Sequence, residues 1–119
     1  MLQHVSIETR GADAQACARF YELIGFRVVE PPPTLAGRAV WLERAGTQIH
    51  LLLADDPVVP AKAHLAVVVD AYDAALAALR SAGFEPHPRE EHWGAPRSFV
   101  TDPAGHLVEL MAAPPPRHH

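Results

Sequence analysis

The feature that most constrains this chain is a pattern that occurs twice. Residues 2–8, Leu-Gln-His-Val-Ser-Ile-Glu, alternate as a strand does. Residues 12–24 follow with Ala16, Cys17, Phe20, Leu23 and Ile24 at helical spacing, and Gly25 stands where a helix would end. A short strand at 26–30 and a hairpin of 38–43 and 47–53, turning near Ala45-Gly46, complete the first unit. The second unit repeats the order. Its strand is 64–69. Its helix is capped by Asp70 or Asp73 and ends at Gly83. A short strand at 84–88 precedes a hairpin of 96–101 and 106–112 across Asp102-Pro103-Ala104-Gly105.

The two units keep register. His4 matches His64 at an offset of 60, and Gly25-Phe26 matches Gly83-Phe84 at 58. Trp41 matches Phe99 at 58, while Gly46 matches Gly105 and His50 matches Glu109 at 59. The sequence therefore predicts an α+β fold of paired βαβββ modules, 2–53 and 64–112. Residues 54–63, with Asp55-Asp56-Pro57 and Pro60, read as the linker of a single domain spanning 1–113. Residues 114–119, from Pro114-Pro115-Pro116, read as a disordered tail, and the terminal His pair is left out of any site.

Alternation also sorts the chemistry. On the four main strands one face is apolar: Val5 and Ile7; Ile49, Leu51 and Leu53; Leu65, Val67 and Val69; Val108 and Leu110. That face should lie under the helices. The other carries His4, Ser6, Gln48, His50, His64, Glu109 and Met111. A pseudo-twofold between the modules would let His4, His50, His64 and Glu109 approach one point. Imidazoles with a carboxylate suit a divalent metal ion: Zn, Fe(II), Mn, Ni or Co. The plainer alternative is that each is a hydrogen-bonded residue on a half-buried sheet face.

Composition narrows the partners. The net charge of -4 and the lack of a basic stripe speak against nucleic acid. No apolar run approaches the roughly 20 residues that span a bilayer, and no secretion signal is apparent, so the cytoplasm is the expected location. Cys17, the only cysteine, sits on an apolar helix face and is expected to pack rather than react.

His4-Val5-Ser6-Ile7 and Ala18-Arg19-Phe20-Tyr21-Glu22-Leu23-Ile24-Gly25-Phe26 resemble the opening of the vicinal oxygen chelate superfamily. This group holds glyoxalase I, fosfomycin-resistance thiol transferases, extradiol dioxygenases, methylmalonyl-CoA epimerase and bleomycin-binding proteins. His64-Leu65-Ala66-Val67-Val68-Val69 and Asp102-Pro103-Ala104-Gly105-His106-Leu107-Val108-Glu109-Leu110 extend the resemblance over about residues 3–112. It implies a glyoxalase-like half-open barrel. It also implies His4, His64 and Glu109 as metal ligands, like those of the fosfomycin enzymes and dioxygenases.

His50 stands where glyoxalase I has a carboxylate. It is the candidate catalytic base, with a fourth ligand or a supporting donor as its alternatives. Arg97 is a candidate for binding an anionic substrate group, and Trp41 and Trp93 for walling the pocket, whereas Phe99 is expected in the core. Residues 90–95 have the composition of a mobile flap. The function implied is a metal-dependent enzyme acting on a small molecule with vicinal oxygens. Lyase, isomerase, transferase and dioxygenase all stay open. A metal-free drug- or metabolite-sequestering protein of the bleomycin-resistance type is the main alternative, and a degenerate paralogue that uses the cavity for regulation is a third. A homodimer is expected, with the site built within one chain or across two.

Overall fold

A computed structural model describes residues 1–117. The first half runs β1 (His4–Thr9), α1 (Ala14–Leu23), β2 (Arg27–Val29), β3 (Ala39–Arg44) and β4 (Thr47–Leu53). The second runs β5 (His64–Val68), α2 (Tyr72–Ser81), β6 (His87–Pro88), β7 (Arg97–Thr101) and β8 (Leu107–Met111). Each half is one four-stranded mixed sheet, ordered β1-β4-β3-β2 and β5-β8-β7-β6. The sheets do not close on each other, so the architecture is an α+β half-open barrel.

The strand registers repeat as the sequence offsets require. Ser6 lies beside His50 and Trp41 opposite it; Ala66 lies beside Glu109 and Phe99 opposite it. His50 and Glu109 thus hold the same place in each sheet.

Local chemistry sets the element ends. Gly25 and Gly83 both have φ near +100° (101° and 92°), the left-handed geometry that stops a helix without steric cost. The second helix starts differently from expectation. Ala71 is its N-cap and makes no side-chain bond, while Asp73 lies in the first turn. Asp70 instead pairs with Arg44 at 3.4 Å. The strand expected at 84–88 shortens to His87–Pro88, because Phe84 and Pro86 turn towards the core instead of pairing.

Both helices lie on the apolar faces of the sheets and touch each other, and one core cluster spans the two halves. Ile49 and Leu51 of β4 and Val108 and Leu110 of β8 are buried in it, as alternation requires. Phe20 meets Phe84 edge-on at 5.0 Å across the halves. Cys17 is fully buried, and burial pushes its thiol up to about 11, which leaves it an inert packing residue.

Polar contacts then fix how the halves sit. The Tyr21 hydroxyl donates to Asp102 Oδ2 at 2.7 Å, while Asp102 Oδ1 accepts from the backbone N–H of Ala104 and of His106. Burial, then the Asp102 charge, pushes the Tyr21 phenol far above its ordinary range, so it stays a donor. His106 Nε2–H donates to the Glu8 carbonyl at 2.7 Å, and Arg44 Nη1 to the Val68 carbonyl at 2.6 Å.

β1 and β5 are the edge strands of their sheets. A cavity of about 350 Å³ lies between them, lined by Ser6, Ile7, His64 and Leu65 and by Val58 and Pro60 of the connecting segment. Pro114–Arg117 are exposed and form no helix or strand; the rest of the expected tail, His118 and His119, lies outside the described residues. No described helix is long and apolar enough to cross a membrane.

Replacing Tyr21 by Phe removes one donor from a buried carboxylate and leaves shape unchanged. The expected loss is about 1.5–3 kcal/mol, the range for a hydrogen bond to a charged group. Urea unfolding of Tyr21→Phe measures it; an unchanged midpoint would mean that the bond contributes nothing to holding the halves together.

Candidate metal centre

The four sequence-selected residues all lie on the polar faces of the sheets, opposite the helices. The described residues of one chain divide them into two pairs. His4 and His50 stack in the first sheet, ring centroids 4.1 Å apart. His64 Nε2 lies 3.2 Å from Glu109 Oε1 in the second. Among the described residues, no group of three or more His, Cys, Asp or Glu side chains gathers closely enough to hold an ion.

Each pair has its outer atoms tied down. The Nδ1–H of His64 donates to the Lys62 carbonyl at 3.0 Å, leaving Nε2 towards Glu109. The Nδ1 of His4 meets Gln3 Oε1 at 2.6 Å, which leaves its Nε2 as the open donor atom. Such bonds fix the tautomer and rotation of metal-binding imidazoles. Glu109 is fixed from its other side: Arg97 Nη1 donates to Oε2 at 3.3 Å, and Arg97 Nε to the Glu90 carbonyl at 2.8 Å. With Nδ1 used as a donor, a neutral His64 turns a lone pair towards a carboxylate oxygen. A proton between Nε2 and Oε1, giving an imidazolium–carboxylate ion pair, satisfies that contact, and a divalent cation held by the same two atoms would satisfy it as well.

His50 is surrounded differently. It is buried and sandwiched between His4 and Trp41, the Trp41 ring lying 4.0 Å away and 3° from parallel. Its Nε2–H donates to Gln48 Oε1 at 2.7 Å, and Gln48 Nε2 in turn donates to Glu43 Oε1 at 3.0 Å. Glu43 also pairs with Arg27 at 3.4 Å. The amide orientation of Gln48 is set by Glu43, which can only accept, so His50 carries its proton on Nε2 and a lone pair on Nδ1. Burial, and then the neighbouring His4, lower the pKa of His50 below the ordinary imidazole value. Both causes favour the neutral imidazole.

Trp41 sits against His50, and its indole N–H is buried without an acceptor. Trp93 is half-buried, with its indole N–H donating to the Ala113 carbonyl at 3.0 Å, which ties the 90–95 segment to the end of β8. Phe99 departs from its expected place in the core. Ser98 and Val100 of β7 face the helices, so Phe99 shares the polar face with Glu109 and meets His64 edge-on at 5.0 Å. The alternation of β7 carried that signal, because Phe99 has the parity of Arg97. The sequence did not show two pairings, Gln48 with His50 and Arg97 with Glu109, because spacing does not encode side-chain partners.

The model of the Glyoxalase/Bleomycin resistance protein/Dioxygenase superfamily matches residues 2–110. The chain belongs to this superfamily. Among solved structures, a glyoxalase family protein from Bacillus anthracis superposes with a TM-score of 0.84 at 25% identity, covering 93% of each chain. A lactoylglutathione lyase from Agrobacterium tumefaciens has a TM-score of 0.71 at 18% identity over 93% of this chain and 92% of its own. An antibiotic binding protein from a Streptomyces species reaches 0.68 at 23% over 93% of each. The last two share the fold, and their names are those of a lyase and of an antibiotic binding protein. No curated protein sequence matches the chain.

The His50 environment has a pH consequence. Its pKa is lower folded than in the unfolded chain, where it is near 6.5. As pH falls below that value the unfolded state takes up the proton first, so this group's contribution to stability is lost down to the folded midpoint. Nuclear magnetic resonance titration of the His50 ring should show a midpoint below the ordinary one, moved part of the way back up in His4→Ala. An ordinary midpoint in the native protein would contradict the buried stack.

Proposed function

We propose that this glyoxalase-family protein is a divalent-metal-dependent enzyme that acts on a small molecule with two adjacent oxygens. His4, His64 and Glu109 are its metal ligands and His50 its base. The observation that carries this is the facing of His64 Nε2 and Glu109 Oε1 at 3.2 Å, each group fixed from behind by another residue. Two such donors are too few for a Zn, Fe(II), Mn, Ni or Co site, which takes at least three protein ligands when it is catalytic. His4 supplies the third. Because the two pairs lie on separate sheets of an open structure, we place the complete site in a homodimer, where the first sheet of one copy faces the second sheet of the other.

A divalent ion held by His4, His64 and Glu109 would supply Lewis acidity to a pair of vicinal oxygens. The residues of the chain do the rest. His50 takes a proton at Nδ1, because Gln48 occupies Nε2. Its lowered pKa means that it hands the proton on readily. Arg97 holds Glu109 in one rotamer, so this carboxylate enters the site pre-oriented. Trp41 walls the base side, its ring stacked on His50. Trp93 closes the far end through its tie to Ala113.

The competing reading is metal-free sequestration of a drug or metabolite. The fold shared with an antibiotic binding protein and the stacked Trp41 favour it. The tautomer-fixing bonds on His4 and His64 oppose it, since a hydrophobic binding cleft has no use for two imidazole nitrogens held open.

Metal analysis of tag-free protein separates the two. Wild type should carry a stoichiometric divalent ion that is lost in His64→Ala and in Glu109→Ala. His50→Ala should keep the ion and lose turnover by about 10²–10⁴-fold, the usual contribution of a general base. Failure of the wild type to bind any divalent transition metal would leave sequestration as the surviving function.

A further inference from the structure

The second sheet presents two guanidinium groups to its polar face, and only one of them has a counter-ion. The Arg89 backbone N–H donates to the Arg97 carbonyl at 3.0 Å, which continues the β6–β7 pairing by one residue. Alternation therefore puts Arg89 on the same face as Arg97 and Phe99. The Arg89 guanidinium carbon lies 5.5 Å from the centre of the Phe99 ring, and that of Arg97 lies 5.4 Å from the same centre. His64 touches the edge of that ring. One aromatic ring thus joins two cations to a proposed metal ligand.

The charges do not balance. Arg97 is neutralised by Glu109. Among the described residues no carboxylate pairs with Arg89, although Glu90 and Glu91 follow it in sequence. A ring quadrupole attracts a cation but does not cancel its charge. With Arg97 paired, the exposed Arg89 is one unpaired guanidinium beside the proposed metal site, and its fork matches the oxygen pair of a carboxylate or phosphate group.

We propose that Arg89 anchors an anionic group of the substrate over Phe99, so that the substrate carries a carboxylate or phosphate-type group beyond its adjacent oxygens. The proposal rests on the reading of His64 and Glu109 as the metal end of the site. Arg97, which the sequence suggested for this role, is the positioning residue of Glu109, and Arg89, one strand further out, has no carboxylate partner among the described residues.

The test has two arms. In the first, the metal-free full chain is titrated with benzoate and with phenyl phosphate while side-chain resonances of Arg89 and Phe99 are followed. Saturable shifts are expected, lost in Arg89→Gln and weakened in Arg89→Lys, and the tighter of the two probes names the anion. In the second, metal-loaded protein is titrated with catechol and with 3,4-dihydroxybenzoate, which differ by one carboxylate. Wild type should prefer the acid by roughly tenfold, about the effect of one charge-assisted pair, and Arg89→Gln should erase the preference without weakening catechol. No saturable shift with either anion, or shifts or a preference that survive Arg89→Gln, overturns the proposal. A chain that takes up no metal defeats the enzyme reading alone, because the first arm still decides the role of Arg89.

Discussion

A four-stranded sheet has two faces, and one helix can cover only one of them. In this chain both helices lie in a common layer, with Phe20, Tyr21, Leu76 and Leu79 packed into a core that the two sheets share. Apolar burial of this kind is the main favourable term in folding, and it is used up on that side. The opposite faces are left to polar residues. Those groups must find partners among themselves, or in a ligand, because each unpaired buried donor or acceptor costs free energy. The hydrogen-bonded chains around His50 and Glu109 follow from that requirement.

The face of each strand was legible from sequence because a strand has a period of two and little freedom to depart from it. The repeat offsets of 58–60 between halves reappear as matching registers, with Ser6, His50 and Trp41 against Ala66, Glu109 and Phe99. Parity says which side a residue takes, not which neighbour it finds there. Arg97 was visible as a cation on the polar face, but its bond to Glu109 depends on strand pairing across the β7–β8 hairpin and on rotamer. Asp102 read as a turn residue, which it is; that it also accepts from Tyr21, 81 positions away in the chain, comes from tertiary packing alone. The Asp70 cap failed for a similar reason, since Arg44 of the other half competes for that carboxylate.

The division of the four candidate residues into two pairs is a consequence of how the halves meet. They join through their helices and through Tyr21–Asp102, His106–Glu8 and Arg44–Val68, and none of these contacts lies on the polar faces. Among the described residues of one chain, none of these contacts draws the His4 side towards the Glu109 side. The edge strands β1 and β5 leave a cavity between them rather than a ladder. Edge strands of this kind are ordinarily covered, and a second copy would cover them while bringing opposite faces together.

The two halves also show how one fold produces two kinds of central residue. At the position before the hairpin's central residue on the same face, the first half has Gln48 and the second has Leu107. On the neighbouring strand the order is reversed: Ala39 in the first half corresponds to Arg97 in the second. His50 is therefore supported along its own strand by a neutral amide, and burial, then the neighbouring His4, disfavour its charged form. Glu109 is supported across the hairpin by the Arg97 guanidinium, which donates to its Oε2. An imidazole and a carboxylate thus stand at equivalent points of a duplicated sheet, and their settings differ in the side chains that support each. The asymmetry of the two polar faces rests on those supporting residues as much as on the exchange of imidazole for carboxylate.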